Sequence, residues 1–383
     1  MRRLRALVVG AGPAGLAVAA LLRRAGLEVR LVERDGGARS PGSGLTLWPN
    51  AFTALEAIGA AAAVRAASAP ADGLAMRTPR GATLQYVSGA VLRSRCGGTG
   101  RALLRADLLR ALWALQPPGA VRFGARCVGV RQDRAGVAAV LDGGGEEEGD
   151  VLIGADGIRS RVRGSLFGGD DLRPCGYAVA RGVAQWSDPG HPALLTLGAG
   201  RQFGLFPLPD GRMYWFAAFA SPDGPPPTAA RCLPVLARDF GRWHAPVPQV
   251  LAATDPSDVT VTAIVDRRPL RRWGVGAVTL AGDAAHPSAP ALGQGTCQAF
   301  EDAVVLARCL ASAGGTAGVP AALRAYALAR RRRAHGVTVQ SHWMGRLGQW
   351  RNPALVAVRD GLIRAMPTAA QVGALRTAFA FDA

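Results

Sequence analysis

The stretch VVGAGPAG, at residues 8–15, decides the fold of this chain. Gly10, Gly12 and Gly15 form the pattern G-x-G-x-x-G. The first glycine of this pattern permits a tight turn, the second lets backbone approach a pyrophosphate, and the third lets a helix pack closely on a strand. The N-terminus of that helix attracts phosphate charge. The stretch therefore predicts a dinucleotide-binding turn.

The residues on either side of the turn fit the same interpretation. Residues 4–9 are predicted to form a buried strand, residues 16–24 a helix and residues 27–32 a second strand. Glu33 ends the second strand, where an acid is placed to accept hydrogen bonds from an adenosine ribose. A glycine-rich turn in an ordinary α/β domain is the alternative.

Composition narrows the class of protein. The chain has 383 residues, enough for two domains or one large one, and 49% of them are hydrophobic. Its net charge is +18, and all 45 basic residues are arginine. The arginines are spread along the chain without a nucleic-acid motif, so we expect no nucleic-acid partner. The absence of lysine excludes Schiff-base catalysis and a Walker A loop.

The cysteines and the N-terminal stretch indicate the cellular compartment that we expect for this protein. Six cysteines are scattered without a C-x-x-C pair, so we expect no metal site and no disulfide framework, and we expect a reducing, cytoplasmic location. Basic residues followed by an apolar stretch open the chain, but the nucleotide turn uses that stretch, so a signal peptide is not expected. No run of 18 apolar residues occurs, so no integral membrane segment is expected.

Two further stretches end a predicted strand at an aspartate. In DVLIGADGIRSRVR, residues 150–163, an apolar strand leads into Asp156-Gly157 and then a basic helix. In AVTLAGDAAHPSAPALGQGTCQAFED, residues 277–302, a strand ends at Asp283 and a proline-rich loop follows. A long helix is then predicted from residues 293–295 to about residue 310.

These three motifs, in this order and at these separations, resemble those of the single-component FAD-dependent aromatic hydroxylases. These are the group A flavoprotein monooxygenases of the p-hydroxybenzoate hydroxylase fold group. Residues 42–51 and the stretch RADL at residues 105–108 also look like that family. The chain most resembles the branch that contains salicylate hydroxylase, urate hydroxylase and zeaxanthin epoxidase. The resemblance covers nearly the whole chain.

The resemblance implies an α/β fold. A discontinuous Rossmann-like FAD-binding domain would comprise residues 1–68, 94–171 and 264–345. An antiparallel-sheet substrate domain, residues 69–93 and 172–263, would be inserted in it. Residues 346–383 would form a C-terminal helical segment.

The resemblance also implies FAD as the cofactor. Asp283 would bind the flavin ribityl hydroxyls, and Arg105 would reach the phosphate or ribityl region. The alternatives are a turn acid for Asp283 and a solvated helix arginine for Arg105. Asp156 would belong to a motif that serves both FAD and NADPH. The candidate cofactor-binding residues are Gly10, Gly12, Ala14, Gly15, Glu33, Arg34, Arg39, Arg105, Val128, Asp156, Gly157, Asp283, Pro290, Gly293, Gln294, Gly295 and Thr296.

The substrate side is predicted from alternation along strands. Residues 213–216, Met-Tyr-Trp-Phe, are predicted to alternate between a pocket and the outside of a sheet. In urate-hydroxylating relatives an arginine and a tyrosine from two strands meet the substrate. Tyr214 matches that tyrosine, whereas Gln202 stands at the arginine position. Tyr214, Arg201 and Gln202 are the candidate catalytic residues, and Tyr214 or Arg201 would help to stabilise a phenolate. A core aromatic residue is the alternative for Tyr214.

The resemblance implies a monooxygenase reaction. NADPH or NADH would reduce FAD, and O2 would add at the flavin C4a position. The resulting hydroperoxide would hydroxylate or epoxidise a small aromatic or isoprenoid-type organic substrate, and water would leave. Two alternatives stay open. One is an FAD-dependent reductase of the same fold, of the polyprenyl reductase type, and the other is a non-catalytic nucleotide-binding module.

Residues 351–367 are predicted to form an amphipathic helix. Its apolar face would contain Leu355, Val358, Leu362, Ile363 and Met366. That face would either pack on the FAD domain or form a dimer contact, and we expect a monomer or a homodimer.

Overall fold

The computed structural model of this chain describes residues 2–37, 43–134, 136–169, 172–187, 192–221 and 228–383. Over these residues the chain forms nineteen strands and twelve helices. The strands are β1 Arg5–Val9, β2 Glu28–Val32, β3 Gly44–Leu47, β4 Ala69–Pro70, β5 Gly73–Arg77, β6 Thr83–Ser88, β7 Arg101–Leu104, β8 Val121–Arg122, β9 Cys127–Gln132, β10 Val137–Leu141, β11 Glu146–Gly149, β12 Val151–Gly154, β13 Arg173–Ala184, β14 Ala193–Leu197, β15 Arg201–Pro207, β16 Met213–Ala220, β17 Thr260–Asp266, β18 Gly274–Val275 and β19 Val278–Leu280. The helices are α1 Pro13–Arg24, α2 Pro49–Ile58, α3 Ala61–Ala66, α4 Gly89–Cys96, α5 Arg105–Trp113, α6 Arg161–Phe167, α7 Ala229–Phe240, α8 Val247–Ala252, α9 Gly295–Ala311, α10 Val319–Gly348, α11 Pro353–Ala365 and α12 Thr368–Phe379.

The first sheet is built around the glycine motif. Its strand order is β18-β19-β12-β1-β2-β8, and every neighbouring pair is parallel except β18 with β19. The apolar residues of β1 and β12 are buried because helices and the β9–β11 meander cover the sheet on both faces. The predicted strand–turn–helix–strand at residues 4–32 is confirmed, with α1 starting three residues earlier than expected.

The second large sheet has seven strands in the order β17-β13-β16-β15-β14-β5-β6. All its pairs are antiparallel except β14 with β5. One face carries Phe203, Trp215 and small residues of β13, and it packs against α7 and α8 to form a separate core. The opposite face is turned toward the first sheet, and the functional cavity lies between the two.

The C-terminal helices follow the long helix α10. Helix α12 packs on α4, and its Phe379 ring stacks on Trp48 at 5.0 Å between ring centroids. Within the described residues, none of the helices combines the length and the apolar character needed to cross a membrane.

Helix α11 differs from one of the two expectations for it. Leu355, Val358, Leu362 and Met366 are exposed, so the interpretation that this apolar face packs on the FAD domain is wrong. The helix is held instead along the adjoining side, where Ile363 is half-buried and the buried Arg359 donates a hydrogen bond to the carbonyl of Gly198. A dimer contact through the exposed face stays a prediction.

Candidate functional site

One continuous cavity of about 1310 Å³ lies between the first sheet and the seven-stranded sheet. Pockets for one small molecule usually measure about 300–1,000 Å³. The cavity is therefore large enough for a cofactor and a second ligand. We call its two sides the glycine wall, with Gly10, Gly12, Glu33, Asp156 and Asp283, and the sheet wall, formed by the seven-stranded sheet.

Backbone geometry shapes the glycine wall. Gly10 has a φ of +99°, and a Cβ there would lie 2.6 Å from the carbonyl oxygen of Ala155. A Cβ on Gly15 would lie 1.9 Å from the carbonyl oxygen of Gly10, so this glycine lets α1 approach the turn. Gly12, by contrast, faces open space toward the cavity at the start of α1. The turn thus leaves room for a pyrophosphate at a helix N-terminus.

Glu33 is fixed across this turn. Its Oε2 accepts the backbone N–H of Ala11 at 2.7 Å, and its Oε1 accepts that of Asp35 at 3.0 Å. Each carboxylate oxygen can accept a further hydrogen bond. The residue also lines the cavity, so it can receive a hydroxyl donor such as a ribose.

Asp156 carries a buried acceptor that the described residues leave unpaired. Its Oδ2 accepts the backbone N–H groups of Arg161, at 2.7 Å, and Val162, at 3.3 Å, at the start of α6. Its Oδ1 has no hydrogen-bond partner within the described part of the chain. Burial raises the pKa of this carboxyl, while hydrogen bonds from Ser160 and backbone partly offset that effect. A donor from a bound ligand would satisfy the Oδ1 atom.

Asp283 follows β19 and faces the cavity. The residue is exposed at the cavity surface, but protein atoms surround it closely. This burial raises the pKa of Asp283, and the nearby charges of His286 and Arg105 work in the opposite direction. Arg105, the first residue of α5, lines the same cavity beside the loop that precedes α9, and its charge and that of Asp283 attract each other there.

A buried polar network supports that loop. Asp302 accepts hydrogen bonds from the backbone N–H of Gly282 at 2.9 Å and from Arg330 Nε at 2.8 Å, and its Oδ2 contacts His286 Nε2 at 2.5 Å. Burial by itself would raise the pKa of Asp302, but His286 and Arg330 bring it below its ordinary value. Arg330 also pairs with Glu301. This network is not among the features predicted from the sequence, although the adjacent acids Glu301 and Asp302 in an apolar helix were a signal for it.

Most of the candidate cofactor-binding residues meet in this cavity. Those that line it are Gly10, Gly12, Ala14, Glu33, Arg34, Arg105, Asp156, Gly157, Asp283, Pro290, Gly293, Gly295 and Thr296.

Three described candidates do not line the cavity, and a fourth candidate falls outside the described residues. Gly15 supports the turn from behind, as described above. Gln294 does not line the cavity, because its side-chain amide is buried and bonded to Asn50. The side chain of Val128 is exposed, one residue beyond the last lining residue of that segment, Cys127. Arg39 lies outside the described residues.

The sheet wall confirms the alternation predicted for residues 213–216. Tyr214 and Phe216 line the cavity, whereas Met213 and Trp215 are buried in the core on the opposite face. The sheet-wall residues are Leu74, Ala75, Met76, Tyr177, Val179, Arg181, Ala193, Leu194, Leu195, Gln202, Phe206, Tyr214, Phe216, Ala218, Thr260 and Thr262.

Aromatic rings dominate the centre of this wall. The Phe206 ring lies 6.0 Å from that of Tyr214 and 6.2 Å from that of Phe216, both near parallel. A Cβ on Gly44 would lie 2.3 Å from the Tyr214 ring, so glycine is required there. Burial raises the pKa of Tyr214, against the charge and hydrogen bond of Arg181.

The structure does not bring Arg201 to the cavity. On β15, Arg201 shares the face of Phe203, and its guanidinium pairs with Asp239 of α7 at 2.9 Å. Because strand residues alternate, the next residue, Gln202, does line the cavity. The proposed phenolate contact for Arg201 is therefore wrong on geometric grounds.

Sequence reasoning also missed residues that line the cavity. Arg181 comes from β13, and Met344, Gln371 and Leu375 come from α10 and α12. The alternation of Tyr177, Val179 and Arg181 with alanine and glycine was the signal for Arg181. Nothing local in the sequence indicates that the C-terminal helices reach the cavity.

A second cluster, Cys175, Asp266 and His342, has the residue types of a metal site. Its carboxylate is already engaged: Asp266 accepts from Arg173 at 2.7 and 3.1 Å and contacts His342 Nδ1 at 2.8 Å. Burial raises the pKa of the Cys175 thiol to about 12, so the thiolate is disfavoured. In this structure, Asp266 holds Arg173 and His342 together by hydrogen bonds.

Known proteins resemble this chain over nearly its full length. A family model described as the FAD binding domain matches residues 3–341. Aurachin C monooxygenase/isomerase of Stigmatella aurantiaca is 37% identical over 365 residues, which are 95% of this chain and 94% of that protein. A 3-amino-4-hydroxybenzoate 2-monooxygenase of Streptomyces cremeus is 38% identical over 81% of this chain and 79% of its own length. The crystal structure of Klebsiella pneumoniae HpxO with FAD and uric acid has a TM-score of 0.92 and 28% identity, covering 98% of this chain and 96% of that one.

The fold and the relatives define the class of protein: an FAD-dependent monooxygenase. The chain belongs to the FAD-binding-domain family that these relatives share. The predicted family, the predicted α/β fold class and FAD as cofactor are thereby confirmed. The relatives do not favour the reductase alternative, and the non-catalytic module is wrong.

Proposed function

We propose that this enzyme uses NADPH or NADH and O2 to transfer one oxygen atom to a small aromatic substrate. The second oxygen atom would leave as water. The observation that carries the proposal is the continuity of one cavity from the glycine wall to the aromatic rings of Phe206, Tyr214 and Phe216. Relatives named for an aurachin, an aminohydroxybenzoate and urate also support a planar substrate.

The residues of the glycine wall fit FAD. The pyrophosphate would lie at Gly12, where a Cβ meets no atom, and the ribose would bind Glu33. Asp283 and Arg105 would hold the ribityl chain, and the loop from Pro290 to the start of α9 would face the flavin ring. Bound FAD supplies the redox chemistry between the nicotinamide and oxygen.

The protein itself would orient the substrate and exclude water. Phe206 and Phe216 offer flat apolar faces against which an aromatic ring can pack. Tyr214 offers a hydroxyl whose proton burial retains, since its pKa is raised. Leu375 and Met344 would cover the cavity from the C-terminal helices. A dry, covered site limits side reactions with water.

The remaining assignments are part of the same proposal. The domain boundaries given above, a cytoplasmic location and a monomeric or homodimeric state are consistent with it. Hydroxylation or epoxidation is decided by the substrate.

Isotope transfer tests the proposal. The purified enzyme, reconstituted with FAD, is supplied with NADPH or NADH and ¹⁸O2 over a panel of aromatic acids, phenols and quinolones. We expect substrate-stimulated NAD(P)H oxidation and a product that contains one ¹⁸O atom. Nicotinamide oxidation that reduces the substrate without ¹⁸O incorporation would contradict the proposal.

A further inference from the structure

The described part of the sheet wall contains one charged side chain, Arg181. Its strand, β13, alternates strictly at this point. Tyr177, Val179 and Arg181 line the cavity, whereas Ala180 is buried in the core on the opposite face. Arg181 is paired across the sheet with Phe216 on one side and Thr260 on the other. The guanidinium therefore enters the cavity beside the aromatic rings.

None of the described carboxylates forms an ion pair with Arg181. Its charge and a hydrogen bond act on Tyr214, and its charge also lowers the pKa of Tyr177 against the effect of burial. The same charge contributes to the lowered pKa of Arg105, behind the larger effect of burial. The negative charge of Asp283 raises the pKa of Arg105, so Asp283 is the group that compensates the charge of Arg105. Among the described residues, the positive charge of Arg181 thus has no matching negative group in a partly buried cavity, where a charge is expected to be paired.

The neighbouring strand β15, described over its whole length, places no charged side chain on the sheet wall, in contrast to β13 with Arg181. Gln202 lines the cavity from β15 but is neutral, and Arg201 faces the opposite side. The sheet wall therefore receives its positive charge from β13 and not from β15. A guanidinium beside a tyrosine hydroxyl suits a planar, negatively charged oxygen group, which it can bind through two parallel hydrogen bonds.

We propose that Arg181 binds an anionic oxygen group, a carboxylate or a phenolate, of the aromatic substrate and thereby selects acids over their neutral analogues. This inference rests on the proposed aromatic monooxygenase function and adds the charge of the substrate to it. The substrate ring would pack on Phe206 and Phe216, and the Tyr214 hydroxyl would contact the same oxygen group. Arg181 is a specificity-determining residue in this arrangement.

The test compares binding of charged and neutral probes to FAD-loaded enzyme. The probes are 3-amino-4-hydroxybenzoate, its methyl ester and its 4-methoxy analogue, and the Kd is read from the change in flavin absorbance. We compare wild type with Arg181→Gln, Arg181→Lys and the control Arg212→Gln. Arg212 is also half-buried and precedes β16, but it does not line the cavity.

We expect Arg181→Gln to weaken binding of the acid by about 10- to 100-fold, the loss typical of a hydrogen bond to a charged group. Arg181→Lys should recover part of this loss, and Arg212→Gln should change nothing. The two neutral probes separate the sources of the charge. If the carboxylate is the partner, the methyl ester binds wild type and Arg181→Gln equally, and if the phenolate is the partner, the 4-methoxy analogue does so.

FAD content and thermal midpoint of each variant show whether it is folded. An Arg181→Gln variant that is folded and loaded but binds all three probes as wild type does would overturn the inference. Equal weakening of all three probes would also overturn it, because it would indicate that the substitution changes the shape of the cavity and not only its charge. A loaded wild type that takes up neither these probes nor any aromatic of the wider panel would overturn the proposed function itself.

Discussion

The glycine wall and the sheet wall of the cavity are built by different physical means. In the glycine wall, backbone conformation decides the geometry: Gly10 and Gly15 are required because a Cβ would collide with the carbonyl oxygens of Ala155 and Gly10. In the sheet wall, side chains from six strands decide it, and adjacent residues such as Arg201 and Gln202 occupy opposite faces of the sheet.

The difference fits the proposed assignment of the glycine wall to the cofactor and of the sheet wall to the substrate. Backbone N–H groups and a helix N-terminus recognise a pyrophosphate without relying on side chains, so the same turn serves many proteins. The side chains of a sheet can be exchanged without changing the backbone, so they adapt to a particular substrate.

The largest effect is expected behind the glycine wall, in the buried network. Arg330→Met leaves Asp302 and Glu301 short of a buried partner, so the free energy of unfolding should fall by about 3–5 kcal/mol. Urea unfolding of the apoprotein measures this. The matched control is Arg332→Met, an exposed arginine of the same helix, which should change the free energy by less than about 0.5 kcal/mol. Similar losses in both variants would show that the network does not support the wall.

The two glycines of the turn should separate stability from binding. Gly15→Ala places a Cβ against the carbonyl of Gly10 and should destabilise the apoprotein by about 1–3 kcal/mol. Gly12→Ala meets open space in the protein, so it should leave the apoprotein intact and weaken FAD binding instead. Unfolding curves and FAD titrations of both variants distinguish the outcomes. A stable Gly15→Ala apoprotein would refute the steric argument.

The charge of Asp283 is expected to lower the stability of the apoprotein while it strengthens FAD binding. Its raised pKa means that the free energy of unfolding falls as pH rises from the ordinary aspartate pKa, about 3.9, through the raised value. Asp283→Asn removes this dependence, so the apoprotein should be at least as stable as wild type at pH 7. FAD should nevertheless bind about 10- to 100-fold more weakly. Thermal midpoints between pH 4 and 8 and FAD titration give both results, and unchanged FAD affinity would contradict the placement of the cofactor.

On the sheet wall, Tyr214→Phe should retain fold and FAD because it removes only a hydroxyl. With a less firmly seated substrate, more of the O2 that the cofactor reduces should be released as hydrogen peroxide instead of delivering oxygen to the substrate, so more peroxide should form per NADPH oxidised. The ratio of peroxide to product measures this. An unchanged ratio with the true substrate would mean that the hydroxyl takes no part in the reaction.

The smallest effect is expected for Arg201→Gln, on the opposite face of the same sheet. Half-exposed ion pairs such as Arg201–Asp239 contribute about 0–1 kcal/mol, so stability should change little. Turnover should also stay close to that of wild type, because Arg201 does not line the cavity. Steady-state kinetics check this. A strong loss of kcat/KM would return Arg201 to the role that the sequence alone suggested.

Much of the glycine wall could be predicted from the sequence, because its determinants are local. The turn at residues 8–15, Glu33 and the aspartates after β12 and β19 each lie within a short motif whose spacing carries the geometry. Gln294 shows the limit of this approach. It belongs to a motif that lines the cavity, yet its amide is directed into the buried network through a contact with Asn50, 244 residues away in the chain.

By itself, the sequence determined the nucleotide turn, the order of the motifs and hence the family and the cofactor, because glycine geometry and strand–turn–helix spacing are encoded within a few residues. Only the tertiary structure decided which face of β13 and β15 meets the cavity, where Arg181 replaces Arg201. It also decided that α10 and α12 complete the cavity and that the apolar face of α11 is exposed. These features depend on register and packing between distant segments, and alternation along one strand cannot say which of its two faces is turned toward a ligand.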